Sequence, residues 1–221
     1  MDTPDKKINV VLASRNKGKI REIDRVLKSV LPDIEVKSLD EYPEIGDIPE
    51  TGSTFEENAL IKARTVSRKT GLIAIADDSG LAVPALNGEP GVYSARYAGE
   101  KATDQENNSR LLIEMKDFKG NERRAAFVCA LAAVSPGGHR LLVREEWEGM
   151  IAFEPRGDKG FGYDPLFIDP VLNLHGAEMS AEQKNARSHR GKALKKLAAL
   201  WEDFIDQQNN ASNQVGFTDL Q

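Results

Sequence analysis

Only one cysteine, Cys129, occurs in the 221 residues, so no intrachain disulfide can form. It lies in the apolar run Ala125 to Val134 with no histidine nearby in sequence, which predicts a buried, inert thiol. Histidine is scarce too: the chain has three, and no His/Cys spacing suggests a zinc site. A Gly-x-Ser-x-Gly elbow is absent, which removes the usual serine-hydrolase signature. No apolar run approaches the ~18 residues that a membrane span requires. Met1 to Lys7 is short and polar, without the apolar stretch of a signal peptide, so a cytoplasmic protein is expected. Positive charge is not in excess: the formal net charge is -5, which disfavours a general nucleic-acid or membrane-surface binder. Any anionic ligand must therefore be held by a local cluster of positive groups.

What the chain does contain is an alternation of strand and helix patterns, which predicts the α/β class. Ile8 to Ala13 reads as a buried strand. Lys17 to Leu31 follows a helical period, with Ile20, Ile23, Val26, Leu27 and Val30 on one face and Pro32 after it. Ile34 to Leu39 is a second strand. Thr54-Phe55-Glu56-Glu57 has the capping-box pattern and opens a helix to about Thr70, closed by Gly71. An apolar run, Leu72 to Ala76, then meets Asp77-Asp78-Ser79-Gly80, where a strand end and a turn are expected. Thr103 to Glu106 is a second capping box, its helix running to about Met115. Arg124 to Val134 and Arg140 to Gly149 flank Pro136-Gly137-Gly138 and predict a hairpin. A glycine-rich loop, Arg156 to Pro165, precedes a short strand around Phe167. Ser188 to about Gln207 is an amphipathic helix with Leu194, Leu197, Leu200, Trp201 and Phe204 inward. The polar residues 208–221 read as a disordered tail. A single mixed α/β domain over 1–207, bilobed around a cleft, accounts for this order.

Four groups of residues can carry chemistry. Asp77 and Asp78 stand where open α/β sheets place ligands, and neighbours on an extended strand face opposite ways. Carboxylates there suit a hard divalent metal with a phosphate, or a base that activates water; Asp-Ser-Gly equally suits a plain turn. Ser14-Arg15-Asn16-Lys17-Gly18-Lys19 lies between a strand and a helix start, where free N–H groups attract phosphate; a polar β–α turn has the same composition. Gly157 to Pro165, with Gly160-Phe161-Gly162-Tyr163-Asp164 inside it, combines close backbone approach with aromatics that can cover a base and an aspartate that can accept a base N–H; a glycine-rich surface loop is the alternative. Lys184 and Ser188-His189-Arg190 can supply donors where the last helix begins; a basic, solvated helix face has the same composition. Glu50 and Lys62 read, by themselves, as a solvated loop acid and a surface lysine. His139 and His175 fall in turn-like segments and are expected to be exposed. Taken together the groups fit a nucleoside triphosphate pocket.

Over about Val10 to Leu200 the sequence resembles the inosine/xanthosine triphosphate pyrophosphatase family. The resemblance rests on Ser14 to Lys19, Glu50-Thr51-Gly52, Glu57-Asn58-Ala59 through Lys62-Ala63, and Ala76 to Leu81. It continues through Gly91 to Tyr97, Gly160 to Pro165, Glu182 to Asn185 and Ser188 to Gly191. His175-Gly176 departs from it, standing where many members have Thr and an aromatic. The resemblance implies Mg²⁺-dependent hydrolysis of dITP, ITP and XTP to the monophosphate and pyrophosphate, a house-cleaning activity. It also implies a homodimer whose two lobes flank a cleft in an elongated mixed sheet with helices around it. By position it assigns Asp78 as proton acceptor and metal ligand, with Glu50 as second metal ligand. Ser14, Arg15, Asn16, Lys17, Gly18, Lys19 and Lys62 would contact the triphosphate. Ser79, Phe161, Gly162, Tyr163, Asp164, Lys184, His189 and Arg190 would contact the rest of the substrate.

Overall fold

The computed structural model describes residues 7–215. Seven strands, β1 (Ile8–Leu12), β2 (Ile34–Ser38), β3 (Ile73–Ala82), β4 (Arg124–Val134), β5 (Arg140–Ile151), β6 (Phe167–Asp169) and β7 (Leu174–His175), form one sheet ordered β2-β1-β3-β4-β5-β6-β7. The sheet is mixed: β1 runs parallel to β2 and β3, while β6 is antiparallel to β5 and β7. Among the described residues six α-helices accompany it: α1 (Lys17–Val30), α2 (Phe55–Thr70), α3 (Asp104–Glu114), α4 (Ala181–Arg187), α5 (His189–Ala199) and α6 (Trp201–Val215). None of the helices among the described residues is long and apolar enough to cross a membrane.

The chain divides into two compact units. Among the described residues, one takes residues 7–78, Ala130–Arg144 and residues 193–215; the other takes Ser79–Cys129 and Glu145–Lys192.

In the first unit, Val10 to Ala13 and Ile73 to Ala76 are continuously buried, as parallel strands covered on both faces require. Helix α1 starts at Asn16, whose Oδ1 accepts the Lys19 N–H, and buries Ile23, Val26 and Leu27. Helix α2 is capped by Thr54, whose Oγ1 accepts the Glu57 N–H. The return half of the expected capping box goes elsewhere: Glu57 Oε2 accepts from the N–H and hydroxyl of Ser53. Gly71 ends α2 at φ +67°, a conformation with little cost for glycine alone. The tail expected beyond residue 207 is helical in α6 as far as Val215, and 216–221 lie outside the described residues. Leu194, Leu197, Trp201 and Phe204 are buried as anticipated, but Leu200 is exposed because the helix breaks there between α5 and α6.

In the second unit, Leu81, Leu111, Met115, Phe127, Trp147, Ile151, Leu166 and Phe167 belong to one buried cluster. Phe127, Trp147 and Phe167 make tilted and stacked ring contacts at its centre. Arg123 is buried here too and donates to the carbonyls of Met115, Phe118, Ile151 and Ala152. Cys129, the last residue of this unit's first segment, is buried on β4 as expected. His175 is not the exposed turn residue its sequence neighbourhood predicts: it lies in β7, is 5% exposed, and its Nδ1 is 2.6 Å from the Pro165 carbonyl.

Two further corrections concern elements. Strand β3 does not stop at a Ser-Gly turn but continues through Asp77, Asp78, Ser79 and Gly80 to Ala82. Sheet hydrogen bonding and burial on this strand override the local turn preference of Asp-Ser-Gly. Between β7 and α5 stands α4, capped by Ser180 with Gln183 answering it, in a segment where the sequence pattern predicts no separate helix.

Candidate active site

Each unit carries one cluster of the expected site residues. In the first unit, α2 presents Lys62 with its ammonium 2.7 Å from Glu50 Oε1 and 2.8 Å from Asp78 Oδ1. Lys62 is 8% exposed and Asp78 6%, so Lys62 is not the surface lysine that it reads as by itself. Asp77, the preceding strand residue, is approached by Lys19 of α1 at 2.6 Å. The alternation of an extended strand thus gives the two aspartates different helices: Asp77 meets α1, and Asp78 meets α2.

Lys62 is shared between Glu50 and Asp78, and Lys19 pairs with Asp77. Burial pushes Asp78 above the ordinary carboxylate range, and Glu50 adds to the effect; Lys62 and Lys19 pull the other way without cancelling it. Burial opposes the charge on Lys62, but Asp78 and Glu50 outweigh it and hold the ammonium above its ordinary value. The cluster therefore keeps its lysine charged and holds Asp78 above the ordinary carboxylate range, a setting suited to an added cation or to proton transfer.

Nearby in sequence, the α1 start has the form of an anion site. Ser14 Oγ accepts the Asn16 N–H, and Asn16 occupies the cap, leaving Lys17 and Gly18 N–H groups that a helix cannot satisfy internally. Arg15 is engaged elsewhere, donating to the carbonyls of Ile45 and Gly46 and lying near Asp40 and Asp47.

A protein-only metal cage is not present among the described residues, where no three His, Cys, Asp or Glu side chains converge. Mg²⁺ does not need one. It commonly uses one or two carboxylates, substrate phosphates and water, and Glu50 with Asp78 fits that donor set. Both carboxylates already share one cation, the Lys62 ammonium.

The second unit's cluster is built on aromatics. Phe161 is half-buried, with Lys184 Nζ 4.9 Å and the Arg190 guanidinium carbon 5.6 Å from its ring centroid. Asp164 is buried, and its Oδ2 accepts from the Phe161 N–H at 2.8 Å and from Lys184 at 2.5 Å. It thereby anchors the loop and the lysine together. Gly160 has φ +78°, and a Cβ there would lie 2.1 Å from Asp164 Oδ2, so this loop closes only over glycine. His189 stacks on Phe127 with centroids 4.9 Å apart and planes 8° from parallel. Ser188 ends α4 and starts α5: its N–H donates to the Lys184 carbonyl, and its hydroxyl accepts the Gly191 N–H. Tyr163 is turned inward, donating to the Ser94 carbonyl, and Ser79 is half-buried on β3.

The description of the Ham1 family fits residues 10–200. The chain belongs to the Ham1 family. Among its relatives, the dITP/XTP pyrophosphatase of Nitratidesulfovibrio vulgaris is 50% identical over 204 residues, spanning 90% of this chain and 98% of the relative. That of Geobacter sulfurreducens is 52% identical over 199 residues, spanning 90% and 97%. Among solved structures, the Ham1 protein of Staphylococcus aureus superposes with a TM-score of 0.79 at 42% identity, covering 88% of this chain and 98% of that one. The nucleoside-triphosphatase / dITP/XTP pyrophosphatase of Mycobacterium abscessus gives 0.71 at 47% identity, covering 86% and 98%.

For this Ham1 family chain, the structure brings together Lys19, Glu50, Lys62 and Asp78 in one unit, and Phe161, Asp164, Lys184 and Arg190 in the other. Sequence reasoning gave no role to Asn58 and left Asp77 a generic support. Asn58 is 1% exposed, and its Oδ1 accepts the Gly52 N–H at 2.8 Å. A buried asparagine four residues before Lys62 on one helix face was the available signal.

Proposed function

We propose that this protein hydrolyses deaminated purine nucleoside triphosphates (ITP, dITP and XTP) to the monophosphate and pyrophosphate, with Asp78 and Glu50 holding Mg²⁺. The observation that carries the reading is the Lys62 ammonium shared between Glu50 and the buried Asp78, whose carboxyl is held above its ordinary range. The names of the relatives, dITP/XTP pyrophosphatase, support the reaction class.

The division of labour follows from the side chains. Lys19, the α1 N-terminus and Lys62 neutralise and orient the triphosphate. Magnesium, when bound, supplies neutralisation of the charge that builds on the leaving pyrophosphate. Asp78 takes the proton of the attacking water, a role that suits a carboxyl raised above its ordinary range. The water oxygen bonds to phosphorus, the anhydride bond between α- and β-phosphates breaks, and pyrophosphate carries away the bonding pair.

Phe161 stacks on the purine. Lys184 and Arg190 flank that ring and can only donate, as lysine and arginine have no acceptor. They therefore suit O6 of hypoxanthine or xanthine and oppose the 6-amino group of adenine. A site whose donors face an amine in place of O6 can lower the specificity constant for ATP by roughly 10⁴-fold. Ser79 contacts the substrate as the residue following Asp78. The setting is a cytoplasmic homodimer acting on a free nucleotide rather than on nucleic acid.

Pyrophosphate release from ITP, XTP, dUTP, GTP and ATP at equal concentration with Mg²⁺ tests this. ITP and XTP should have the highest kcat/KM, and a best value for dUTP would overturn the base assignment.

A further inference from the structure

We infer that Asn58 is a positioning residue for the metal-side carboxylate, acting on Glu50 through the backbone of Gly52. Glu50 leaves its loop to meet Lys62 at 2.7 Å, so the course of residues 50–52 sets where its carboxylate lies. Asn58 holds that course: its Oδ1 accepts the Gly52 N–H at 2.8 Å from a fully buried position on α2. Because a backbone N–H can only donate, the oxygen end of the amide must face Gly52. Asn58 Nδ2 is buried and has no partner among the described residues. An idle buried donor is costly, and an apolar side chain would avoid that cost; the bond to Gly52 is what asparagine supplies here and leucine cannot.

Gly52 matches this contact from the other side. A Cβ on it would stand 2.6 Å from Glu57 Cβ and 2.8 Å from Asn58 Oδ1, so any larger residue lifts the loop from the helix. Four residues along, on the same face of α2, Lys62 takes the Glu50 carboxylate itself. The helix is thus a two-point template, gripping the loop backbone at one point and its acid at the other.

The inference rests on Glu50 being a metal ligand, and one set of titrations separates the two claims. Mn²⁺ binding to the metal-free full-length protein is measured calorimetrically for wild type, Glu50→Gln, Asn58→Ala, Gly52→Ala and the double variant Glu50→Gln/Asn58→Ala. Asn58→Ala and Gly52→Ala should each weaken Mn²⁺ about 10-fold, as losing a residue that orients a ligand does. In the Glu50→Gln background, Asn58→Ala should have no further effect, because its influence passes through Glu50. If Asn58→Ala does not fold, Gly52→Ala and its own double variant with Glu50→Gln provide the same comparison. Unchanged Mn²⁺ affinity in Glu50→Gln overturns the metal-ligand reading and the inference with it. Weakening by Glu50→Gln but not by Asn58→Ala or Gly52→Ala overturns the inference alone. So does a full additive loss in the double variant, which marks a merely structural role.

Discussion

Asp78 in one unit and Asp169 in the other are both buried aspartates at strand positions, yet burial leaves them in opposite states. Burial tends to raise Asp169, but the N–H groups of Leu172 and Val171, the Arg187 guanidinium and the Trp147 indole together hold it below the ordinary carboxylate range. Asp78 has Lys62 at 2.8 Å but shares that lysine with Glu50, and it stays above the range. An aspartate given oriented donors of its own becomes a fixed strut. One made to share its cation keeps an unmet demand for positive charge, and that demand suits chemistry.

The sharpest way to break this contrast is to neutralise each aspartate. Asp78→Asn should lower kcat by about 10³-fold or more, within the range of a lost general base, while nucleotide binding persists. Asp169→Asn should do the reverse. Removing one partner of a buried charged network costs about 3 kcal/mol in urea unfolding, with kcat per folded molecule close to wild type. Equal loss of kcat in both variants would erase the distinction.

A weaker perturbation, pH, should separate them by sign. Asp78 is raised, so its protonated form is favoured by folding; that contribution is present below the unfolded value of 3.8 and is lost as pH rises through the higher folded value. Activity needs the carboxylate and therefore falls as pH drops through the same point. Asp169 is lowered, so its stabilisation is present above 3.8 and is lost as pH falls through the lower folded value. Urea unfolding of Asp78→Asn and Asp169→Asn against pH, set beside wild type, should show these opposite slopes.

The contrast could not have been read from the sequence, although much around it could. Thr54 and Thr103 gave helix starts because a cap hydrogen bond spans only three residues. Gly71 gave a helix end for the same local reason. The hairpin of β4 and β5 followed from the short turn closed by Ser135 and His139. Asp77-Asp78 was recognised as important but placed at a strand end, since Ser-Gly carries a local turn preference that pairing within the sheet overrules. Glu50 and Lys62 read as separate surface groups because their contact spans 12 residues and depends on where α2 docks. The burial of His175 and the bond from Gly52 to Asn58 likewise depend on chain packing, which no short pattern reports.

The smallest effect should come from the second unit's counterpart to the Asn58 grip. There an i, i+4 pair on one helix holds a loop glycine at both ends: Asp104 Oδ2 accepts the Gly162 N–H at 2.6 Å, and Asn108 Nδ2 donates to the Gly162 carbonyl at 2.8 Å. The pair lies at the start of α3 and fixes the residue that follows Phe161. Asp104 is exposed, whereas Asn58 is buried, so water can replace the lost acceptor. Asp104→Ala should therefore raise KM for ITP only about 2- to 10-fold, the worth of one ordinary hydrogen bond, and leave kcat and Mn²⁺ affinity unchanged. Steady-state kinetics beside Mn²⁺ titration checks it. A loss of metal affinity in Asp104→Ala as large as in Asn58→Ala would mean that the two grips are not specific to their own clusters.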